Sequence, residues 1–206
     1  MRIVRRLLVV STTLGLVAVM AGPAWAPPLE CGGRPVTIVG TANADHLDGS
    51  GAGDDVIMGL GGNDYIEAGQ GQDYVCGGLG ADTIVDLGNQ SGEGGHLWGD
   101  DGHDEIFGTL RQDQIFGEDG NDTMHGGPGA DSLRGGNGAD WLVGWGENDD
   151  IDGAAGDDQI WDGEGVDEVS GGPDSDYAYQ CADQNGDQNS WTSVTVSPAS
   201  VNYCTW

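Results

Sequence analysis

Aliphatic residues recur along this chain with a period of nine. A Leu, Ile, Val or Met stands at nearly every ninth position: Leu47, Ile57, Ile66, Val75, Ile84, Leu97, Ile106, Ile115, Met124, Leu133, Leu142, Ile151, Ile160 and Val169, followed by the smaller Ala178. Each of them, with its two neighbours, can form a short strand whose middle side chain points one way and whose outer side chains point the other. The pattern therefore predicts many three-residue strands separated by six-residue turns.

An aspartate precedes each aliphatic residue by two positions in almost every unit. The unbroken run, with a spacing of nine residues, consists of Asp104, Asp113, Asp122, Asp131, Asp140, Asp149, Asp158, Asp167 and Asp176, and Asp55, Asp64, Asp73 and Asp82 keep the same spacing upstream. Asp45 lies one residue out of step, and a short insertion near Asp86 to Asn89 together with Gly95 replaces one unit between the runs. A disordered acidic tail, which the composition alone would allow, has no reason to keep this phase.

The six residues that end at each aspartate are rich in glycine. The most regular copies read GGLGAD, GGPGAD and GGNGAD, and glycine lets the backbone take a positive φ and turn sharply. If each unit reverses the chain, two units of about eighteen residues close one turn of an all-β, right-handed parallel solenoid with a thin aliphatic core. The aspartates then form two columns, which we call the first carboxylate column (Asp64, Asp82, Asp104, Asp122, Asp140, Asp158 and Asp176) and the second carboxylate column (Asp55, Asp73, Asp113, Asp131, Asp149 and Asp167).

The charge of the chain requires a counterion for these columns. The sequence has 35 Asp and Glu residues against six Arg and Lys, and a formal net charge of −29, so binding to nucleic acid or to an anionic membrane is not expected. At a spacing of about 4.8 Å, neighbouring carboxylates repel each other by roughly 3 to 4 kcal/mol at an effective dielectric constant of 20. A divalent cation between turns would remove this repulsion, and carboxylate and carbonyl oxygens suit Ca²⁺. Zinc prefers thiol or imidazole ligands, and His46, His96, His103 and His125 occupy different phases of the repeat.

Two segments, GGLGADTIV and GGPGADSLR, match the pattern GGxGxDxUx, in which U is a large aliphatic residue. The array resembles the repeats-in-toxin (RTX, haemolysin-type) family of calcium-binding nonapeptide repeats over about two thirds of the chain. The resemblance implies a parallel β-roll in which each Ca²⁺ lies between turns that are two units apart on one edge. It implies as metal ligands Asp55, Asp64, Asp73, Asp82, Asp104, Asp122, Asp131, Asp140, Asp158 and Asp167, with the turn glycines Gly77, Gly78, Gly80, Gly126, Gly127, Gly129, Gly135, Gly136 and Gly138.

Some units depart from this pattern, and empty or weak sites are expected there. GTLRQD has Arg111 where a glycine should turn, GWGEND has Glu147 at that place, and Gly95 has no carboxylate. The outermost units, GTANAD and GGPDSD, are degenerate.

The N-terminus has the features of a secretory signal peptide over residues 1–26. A basic start is followed by an apolar run, Leu7 to Ala21, and by small residues that end at Ala24-Trp25-Ala26. Pro27 is unfavourable directly after a cleavage point, so cleavage after Ala21 or Ala24 stays open, as does an uncleaved anchor. The mature protein is expected to be extracellular, with no membrane insertion after processing.

The four cysteines fit an oxidising compartment. They permit three pairings, of which proximity in the sequence favours Cys31 with Cys76 and Cys181 with Cys204. We expect an N-terminal cap at residues 27–39, the β-roll at 40–179, and a C-terminal cap at 180–206 that contains the alternating segment WTSVTVSPASVNYC.

No catalytic motif is present: the sequence lacks H-E-x-x-H, G-x-S-x-G and a P-loop lysine. The favoured hypothesis is therefore a secreted, non-enzymatic calcium-binding protein that folds when it binds Ca²⁺. The alternative is an adhesion or carbohydrate-binding module, with a glycan or cell-surface partner, and an accessory to a secreted hydrolase is a third reading. That module would use outward aromatic residues, which otherwise pack between rungs: Tyr65, Tyr74, Trp98, Phe107, Phe116, Trp141, Trp161 and Tyr177.

Overall fold

The computed structural model describes residues 10–12, 15–17, 28–51, 53–86, 88, 94–179, 190–192 and 195–196, and all regular elements within them are β-strands. Two short antiparallel pairs precede the main fold: β1 (Val10–Thr12) with β2 (Gly15–Val17), and β3 (Glu30–Cys31) with β4 (Arg34–Pro35). In this described part of the chain, no helix is long and apolar enough to cross a membrane.

The main fold consists of two nine-stranded sheets, and successive strands of the chain alternate between them. Sheet 1 contains β5 (Ile38–Val39), β7 (Val56–Gly61), β9 (Tyr74–Leu79), β11 (His96–Gly102), β13 (Gln114–Gly120), β15 (Ser132–Asn137), β17 (Asp150–Ala155), β19 (Glu168–Ser170) and β21 (Ser190–Thr192). Sheet 2 contains β6 (His46–Asp48), β8 (Tyr65–Gly69), β10 (Thr83–Asp86), β12 (Glu105–Phe107), β14 (Thr123–Pro128), β16 (Trp141–Gly146), β18 (Gln159–Trp161), β20 (Tyr177–Tyr179) and β22 (Thr195–Val196).

Neighbouring strands in both sheets run parallel with a nearly constant register. Ile115 pairs with Leu133 and Met124 pairs with Leu142, an offset of 18 residues in each case. Two nine-residue units therefore complete one turn, which confirms the predicted parallel β-solenoid. Across the insertion the offset increases to 22 residues, as in the pair Thr83 and Glu105, and the register recovers on the far side.

The core is the row of aliphatic residues that the period of nine selects. All fifteen of them, from Leu47 to Ala178, are buried with at most 1% of their surface exposed, and Ala68 joins the same cluster. Because each side chain packs directly on the equivalent residue of the turns above and below, the core is two residues wide and as long as the array. The prediction of a thin aliphatic core is confirmed.

The strands are longer than the three residues that the pattern predicts. β12 and β18 have three residues, but β11 and β13 have seven. The reason is that successive turns have the same shape, so turn residues also stay in register: Asp100 pairs with Glu118, and Asp101 pairs with Asp119. Ladder hydrogen bonding therefore continues from the strands into the turns on this side of the solenoid.

A disulfide joins the N-terminal hairpin to the solenoid. Cys31 is bonded to Cys76 with 5.9 Å between their Cα atoms, which confirms that predicted pair. Cys31 packs in a small cluster with Val56, Tyr74 and Cys76, and the Arg34 guanidinium lies 3.9 Å from the centroid of the Tyr74 ring.

Several expectations fall on residues that the structure does not describe. The other predicted disulfide, Cys181 with Cys204, and the candidate cleavage points of the leader lie outside the described residues. The strands that stack in the two sheets begin at Ile38 and end at Val196. The division into two caps and a β-roll stays a prediction.

Candidate metal centre

The motif aspartates lie in the two predicted columns, and one carboxylate oxygen of each links successive turns. The N–H of Asp64 donates to Oδ1 of Asp82 at 2.7 Å, and this pattern repeats along the first column to Asp158 and Asp176 at 3.0 Å. In the second column, Asp55 donates to Asp73 at 2.7 Å, and the same bond continues from Asp113 through Asp167. Oδ1 therefore closes the backbone of the preceding turn.

The second oxygen, Oδ2, is buried in most of these carboxylates and has no hydrogen-bond partner among the described residues. This holds for Asp64, Asp73, Asp82, Asp104, Asp122, Asp131, Asp140, Asp149, Asp158 and Asp176. A buried polar atom without a partner costs about 1 to 3 kcal/mol, and more when it is charged. Because this cost is repeated along two columns, each column offers a row of carboxylate oxygens that could bind a ligand other than a protein donor.

In most turns the first of the six positions is a glycine, and it leaves a space where two oxygens converge. A Cβ added to Gly77 would lie 2.5 Å from Oδ2 of Asp82 and 2.7 Å from the carbonyl oxygen of Gly99, one turn further on. The same pair of oxygens surrounds the equivalent glycines Gly99, Gly117, Gly126, Gly135 and Gly153. A side chain would fill this space, whereas glycine leaves carboxylate and carbonyl oxygens together, which is the ligand type that Ca²⁺ prefers.

Burial raises the pKa of the column carboxylates above the ordinary value of 3.8. The pKa reaches about 8 for Asp131 and Asp149, about 7 for Asp104 and Asp158, and about 6 for Asp64, Asp73 and Asp140. Desolvation is the largest cause; the hydrogen bond from the preceding turn opposes it, and neighbouring carboxylates of the same column add to it. Without a cation, burial therefore favours the protonated form of these carboxyl groups near neutral pH, where an exposed aspartate would be charged.

The structure brings together the predicted ligands, with one difference at the N-terminal end. Asp55 is only partly buried, and its Oδ1 accepts a hydrogen bond from the Thr37 hydroxyl at 3.3 Å. Asp167 is buried in the second column, where its Oδ1 accepts the N–H of Asp149. The predicted glycines occupy three positions of the turn: Gly77, Gly126 and Gly135 border the oxygen-lined space, Gly78, Gly127 and Gly136 have φ between 97° and 116°, and Gly80, Gly129 and Gly138 pack against the preceding turn.

We number the six residues of each turn so that the motif aspartate is the sixth. In two turns the second residue is a threonine, and it donates hydrogen bonds to Oδ2 of the aspartate of its own turn. Oδ2 of Asp113 accepts hydrogen bonds from the N–H of Thr109 at 2.6 Å and from its hydroxyl at 3.0 Å. Asp45 is bonded to Thr41 in the same way, at 2.6 and 2.8 Å. These bonds give a physical reason for expecting weak or empty sites in GTLRQD and GTANAD. The sequence signal for these bonds is the Gly-Thr pair that opens both turns, whereas the prediction rested on Arg111 in GTLRQD and on the degenerate sequence of GTANAD.

Asp149 and Asp176 have the geometry of the predicted ligands although sequence reasoning left them out. Glu147 takes a φ of 72° in the turn GWGEND, so the turn keeps its path and Oδ2 of Asp149 is buried without a protein donor in the described residues. Asp174 does the same in GGPDSD with a φ of 92°. A non-glycine residue at this position therefore does not by itself displace the carboxylate.

Side chains alone do not form a metal cluster in the part of the chain that the structure describes. No three His, Cys, Asp or Glu residues come together there as a group that could hold a metal ion. The Nδ1 atom of His103 accepts the N–H of Asn121 at 2.7 Å, and the other described histidine rings pack on aromatic residues, as His125 does on Phe107. A cation between turns would therefore need backbone carbonyls to complete its shell.

The outward aromatic residues stack on one another between rungs. The ring centroids of Trp141 and Trp161 are 4.3 Å apart, and those of Trp161 and Tyr179 are 4.4 Å apart, each pair with 15° between the planes. On sheet 1, Trp98 stacks on Phe116 at 5.5 Å. Because the rings cover each other's faces, the contacts favour packing between rungs over a platform for sugars. Glycan binding stays a prediction.

The fold and the site together define a class of protein: a parallel β-solenoid with glycine turns and two buried carboxylate columns. A family model, the RTX calcium-binding nonapeptide repeat, matches the chain in four copies, at residues 50–84, 98–133, 125–160 and 146–178. These matches cover more than half of the chain, which therefore belongs to the RTX calcium-binding nonapeptide repeat family. The comparison with curated proteins found no match.

Proposed function

We propose that this protein is a secreted calcium-binding β-roll whose folding is coupled to the binding of Ca²⁺ between its stacked turns. The observation that supports the proposal is the row of buried Oδ2 atoms for which the described residues offer no hydrogen-bond donor. Such oxygens in register along two columns are the ligand set that an array of hard divalent cations would need.

The energetic argument for coupling starts from the ion-free columns. Neighbouring carboxylates at the strand spacing of about 4.8 Å repel by roughly 3 to 4 kcal/mol at an effective dielectric constant of 20, and the glycine-rich turns lose more backbone entropy on folding than other sequences. The aliphatic core is only two residues wide and must offset both. A ligand that binds the folded array and not the open chain shifts this balance by mass action.

Calcium fits the donors better than other biological cations do. The available atoms are carboxylate and carbonyl oxygens on separate turns, and Ca²⁺ accepts six to eight oxygens in a flexible geometry, whereas Mg²⁺ requires a tight octahedron and gives up its water reluctantly. Zinc would favour thiolate or imidazole. The calcium would neutralise the columns and join adjacent turns, and no catalytic step is assigned to the protein.

We propose as ligands the predicted carboxylates and the carbonyls of the turn glycines. The carboxylates are Asp55, Asp64, Asp73, Asp82, Asp104, Asp122, Asp131, Asp140, Asp158 and Asp167, to which the geometry of Oδ2 adds Asp149 and Asp176. The carbonyls come from turns such as Gly77 to Gly80, Gly126 to Gly129 and Gly135 to Gly138.

Secretion is proposed from two features of the chain. Residues 1–26 have the order of basic, apolar and small residues that a signal peptide has, and the Cys31–Cys76 disulfide belongs in an oxidising compartment. An extracellular setting would also supply calcium at the concentrations that weak sites require.

The test is far-UV circular dichroism of the purified mature chain in calcium-depleted buffer and during a calcium titration. We expect a disordered spectrum without calcium and a cooperative change to a β-spectrum with it. Magnesium at the same ionic strength is the control, because general screening of charge would act equally with both ions. A β-spectrum that is complete in calcium-depleted buffer, with no metal detected by mass spectrometry, would refute the proposal.

A further inference from the structure

We propose that Asp86 supplies the calcium-binding carboxylate that Gly95 lacks, so that the second carboxylate column continues through the insertion without a gap. The proposal rests on the proposed function and adds to it a ligand at a position that the nonapeptide pattern gives to glycine. The turn that begins at Asp86 ends at Gly95, where the other turns end with their motif aspartate.

Gly95 has the backbone position of a motif aspartate. Its N–H donates to Oδ1 of Asp113 at 2.6 Å, as the N–H of Asp113 donates to Oδ1 of Asp131. In addition, the N–H of Gln114 bonds to the carbonyl of Gly95 at 2.9 Å, as the N–H of Ser132 does to that of Asp113. Gly95 therefore makes the backbone hydrogen bonds of a motif aspartate, and what it lacks is the carboxylate.

The carboxylate of Asp86 fills the space next to Gly95. A Cβ added to Gly95 would collide with Oδ2 of Asp86 and would lie 3.5 Å from its Cγ. Asp86 is 3% exposed, its Oδ1 accepts the N–H of Gly88 at 2.9 Å, and its Oδ2 is buried without a hydrogen-bond partner in the described residues. As in the motif aspartates, one oxygen accepts a backbone N–H and the other has no protein donor, although the donor here lies two residues on along the chain and not in the preceding turn.

A local irregularity in sheet 2 places Asp86 there. Along β10 and β8, Val85 pairs with Glu67, but Asp86 pairs with Gly69, so the register shifts by one residue between Val85 and Asp86. Irregularities of this kind redirect a side chain relative to a regular strand. After burial, the charges that raise the pKa of Asp86 are those of Asp73 and Asp113, its neighbours in the second column.

Asp162 shows that an aspartate at the first position of a turn does not by itself replace the motif aspartate at the sixth position. It opens the turn that ends at Asp167, and its Oδ1 accepts the N–H of Gly163 at 2.8 Å. That turn keeps its own motif carboxylate, whereas the turn of Asp86 does not. The pair of turns therefore offers a matched control in which the same substitution has a different expected result.

The experiment exchanges Asp86 and Gly95 in the full mature chain, singly and together. Bound Ca²⁺ is counted by native mass spectrometry, and its affinity is measured by calcium titration against a chromophoric chelator. We expect Asp86→Gly to bind one ion fewer than the wild type and Asp162→Gly to keep the full number. The double variant Asp86→Gly/Gly95→Asp should recover the lost ion, because it returns the carboxylate to the regular position. Gly95→Asp alone should unfold at a lower temperature than the wild type in saturating calcium, because its side chain competes with Asp86 for one space.

An unchanged number and affinity of ions in Asp86→Gly would overturn the proposal, as would an equal loss in Asp162→Gly or no recovery in the double variant. If the wild type binds no calcium, the proposed function fails separately. The inference that the Asp86 carboxylate takes the place of a side chain at residue 95 is then judged by thermal unfolding alone. It is supported if Asp86→Gly relieves the destabilisation caused by Gly95→Asp, and it is refuted if the two destabilising effects add.

Discussion

At the scale of single residues, the two oxygens of a motif aspartate have separate tasks. Oδ1 of Asp140 accepts the N–H of Asp122 at 2.8 Å, while Oδ2 is buried beside the carbonyl oxygen of Gly153. An asparagine can accept the same N–H through its side-chain oxygen but presents an uncharged amide on the other side. This difference separates the structural task from the proposed metal-binding task.

Asp140→Asn is therefore predicted to keep the fold at high calcium and to weaken ion binding. We expect the chain to lose one bound ion, or to bind it at least about tenfold more weakly, because calcium affinity follows the number of charged ligands. The measurement is the ion count by native mass spectrometry together with the calcium concentration at the midpoint of folding. Asp150→Asn, which removes the same charge from an exposed position of β17, should leave both values unchanged. Equal effects of the two substitutions would mean that net charge alone sets the result.

The spacing of residues predicts which aspartates share a column, but not what each oxygen contacts. Column membership depends only on the count of residues per turn, so it could be read from the chain. The bond from Thr109 to Asp113 and the approach of Asp86 to Gly95 depend on side-chain rotation and on a one-residue shift in register. Neither has a periodic signal: the first lies in a turn whose regular glycines are replaced, and the second lies at the insertion.

At the scale of the turn, two positions use a positive φ for different reasons. The second position has a positive φ even when it is Leu60, Asp100, Glu118, Trp145 or Ala154, so a side chain is tolerated there despite a cost of roughly 1 to 2 kcal/mol. At the fourth position the peptide packs directly on the preceding turn: a Cβ on Gly138 would collide with the carbonyl oxygen of Gly120. A regular turn therefore needs glycine at its fourth position for space as well as for conformation, whereas Glu147 and Asp174 at the same position take a smaller φ of 72° and 92°.

Gly138→Ala is predicted to destabilise the calcium-loaded fold by more than about 2 kcal/mol, because a φ of 140° and the contact with Gly120 both oppose a side chain. Gly146→Ala is the matched control, since its nearest described atom, the carbonyl oxygen of Glu164, is 4.0 Å from the added Cβ. That substitution should change stability by less than about 1 kcal/mol. Thermal unfolding at saturating calcium measures both; similar losses in the two variants would show that close stacking of turns does not limit the fourth position.

The extent of the strands illustrates what a local pattern leaves out. Alternation of side chains identifies the three residues around each core position, and these are strands in the structure. The pairing of Asp100 with Glu118 comes from the repetition of one turn shape above another, which no single unit reveals. The stacking of equal turns also produces hydrogen bonds between side chain and backbone at the fifth turn position. The side-chain oxygen of Asn63 accepts the N–H of Ala81 at 3.2 Å, and that of Asn121 accepts the N–H of Ala139 at 3.0 Å.

At the scale of the whole molecule, the state of the carboxylate columns makes stability depend on pH in opposite directions with and without calcium. Burial raises the pKa of Asp64, Asp104 and Asp131 from 3.8 to about 6, 7 and 8. In the unfolded chain these groups would titrate near their ordinary value. The folded, ion-free protein therefore binds more protons than the unfolded chain between about pH 4 and 8.

The last prediction follows from this sign. In calcium-depleted buffer, the contribution of these groups to stability is complete below about pH 4 and is lost as the pH rises through 6 to 8, so folding should increase when the pH is lowered from 8 to 5. With calcium present the direction reverses, because protons and Ca²⁺ compete for the same oxygens and the calcium concentration at the folding midpoint should rise as the pH falls. Circular dichroism at several pH values, with and without calcium, measures both slopes. Two slopes of the same sign would mean that the buried carboxylates do not hold the cation.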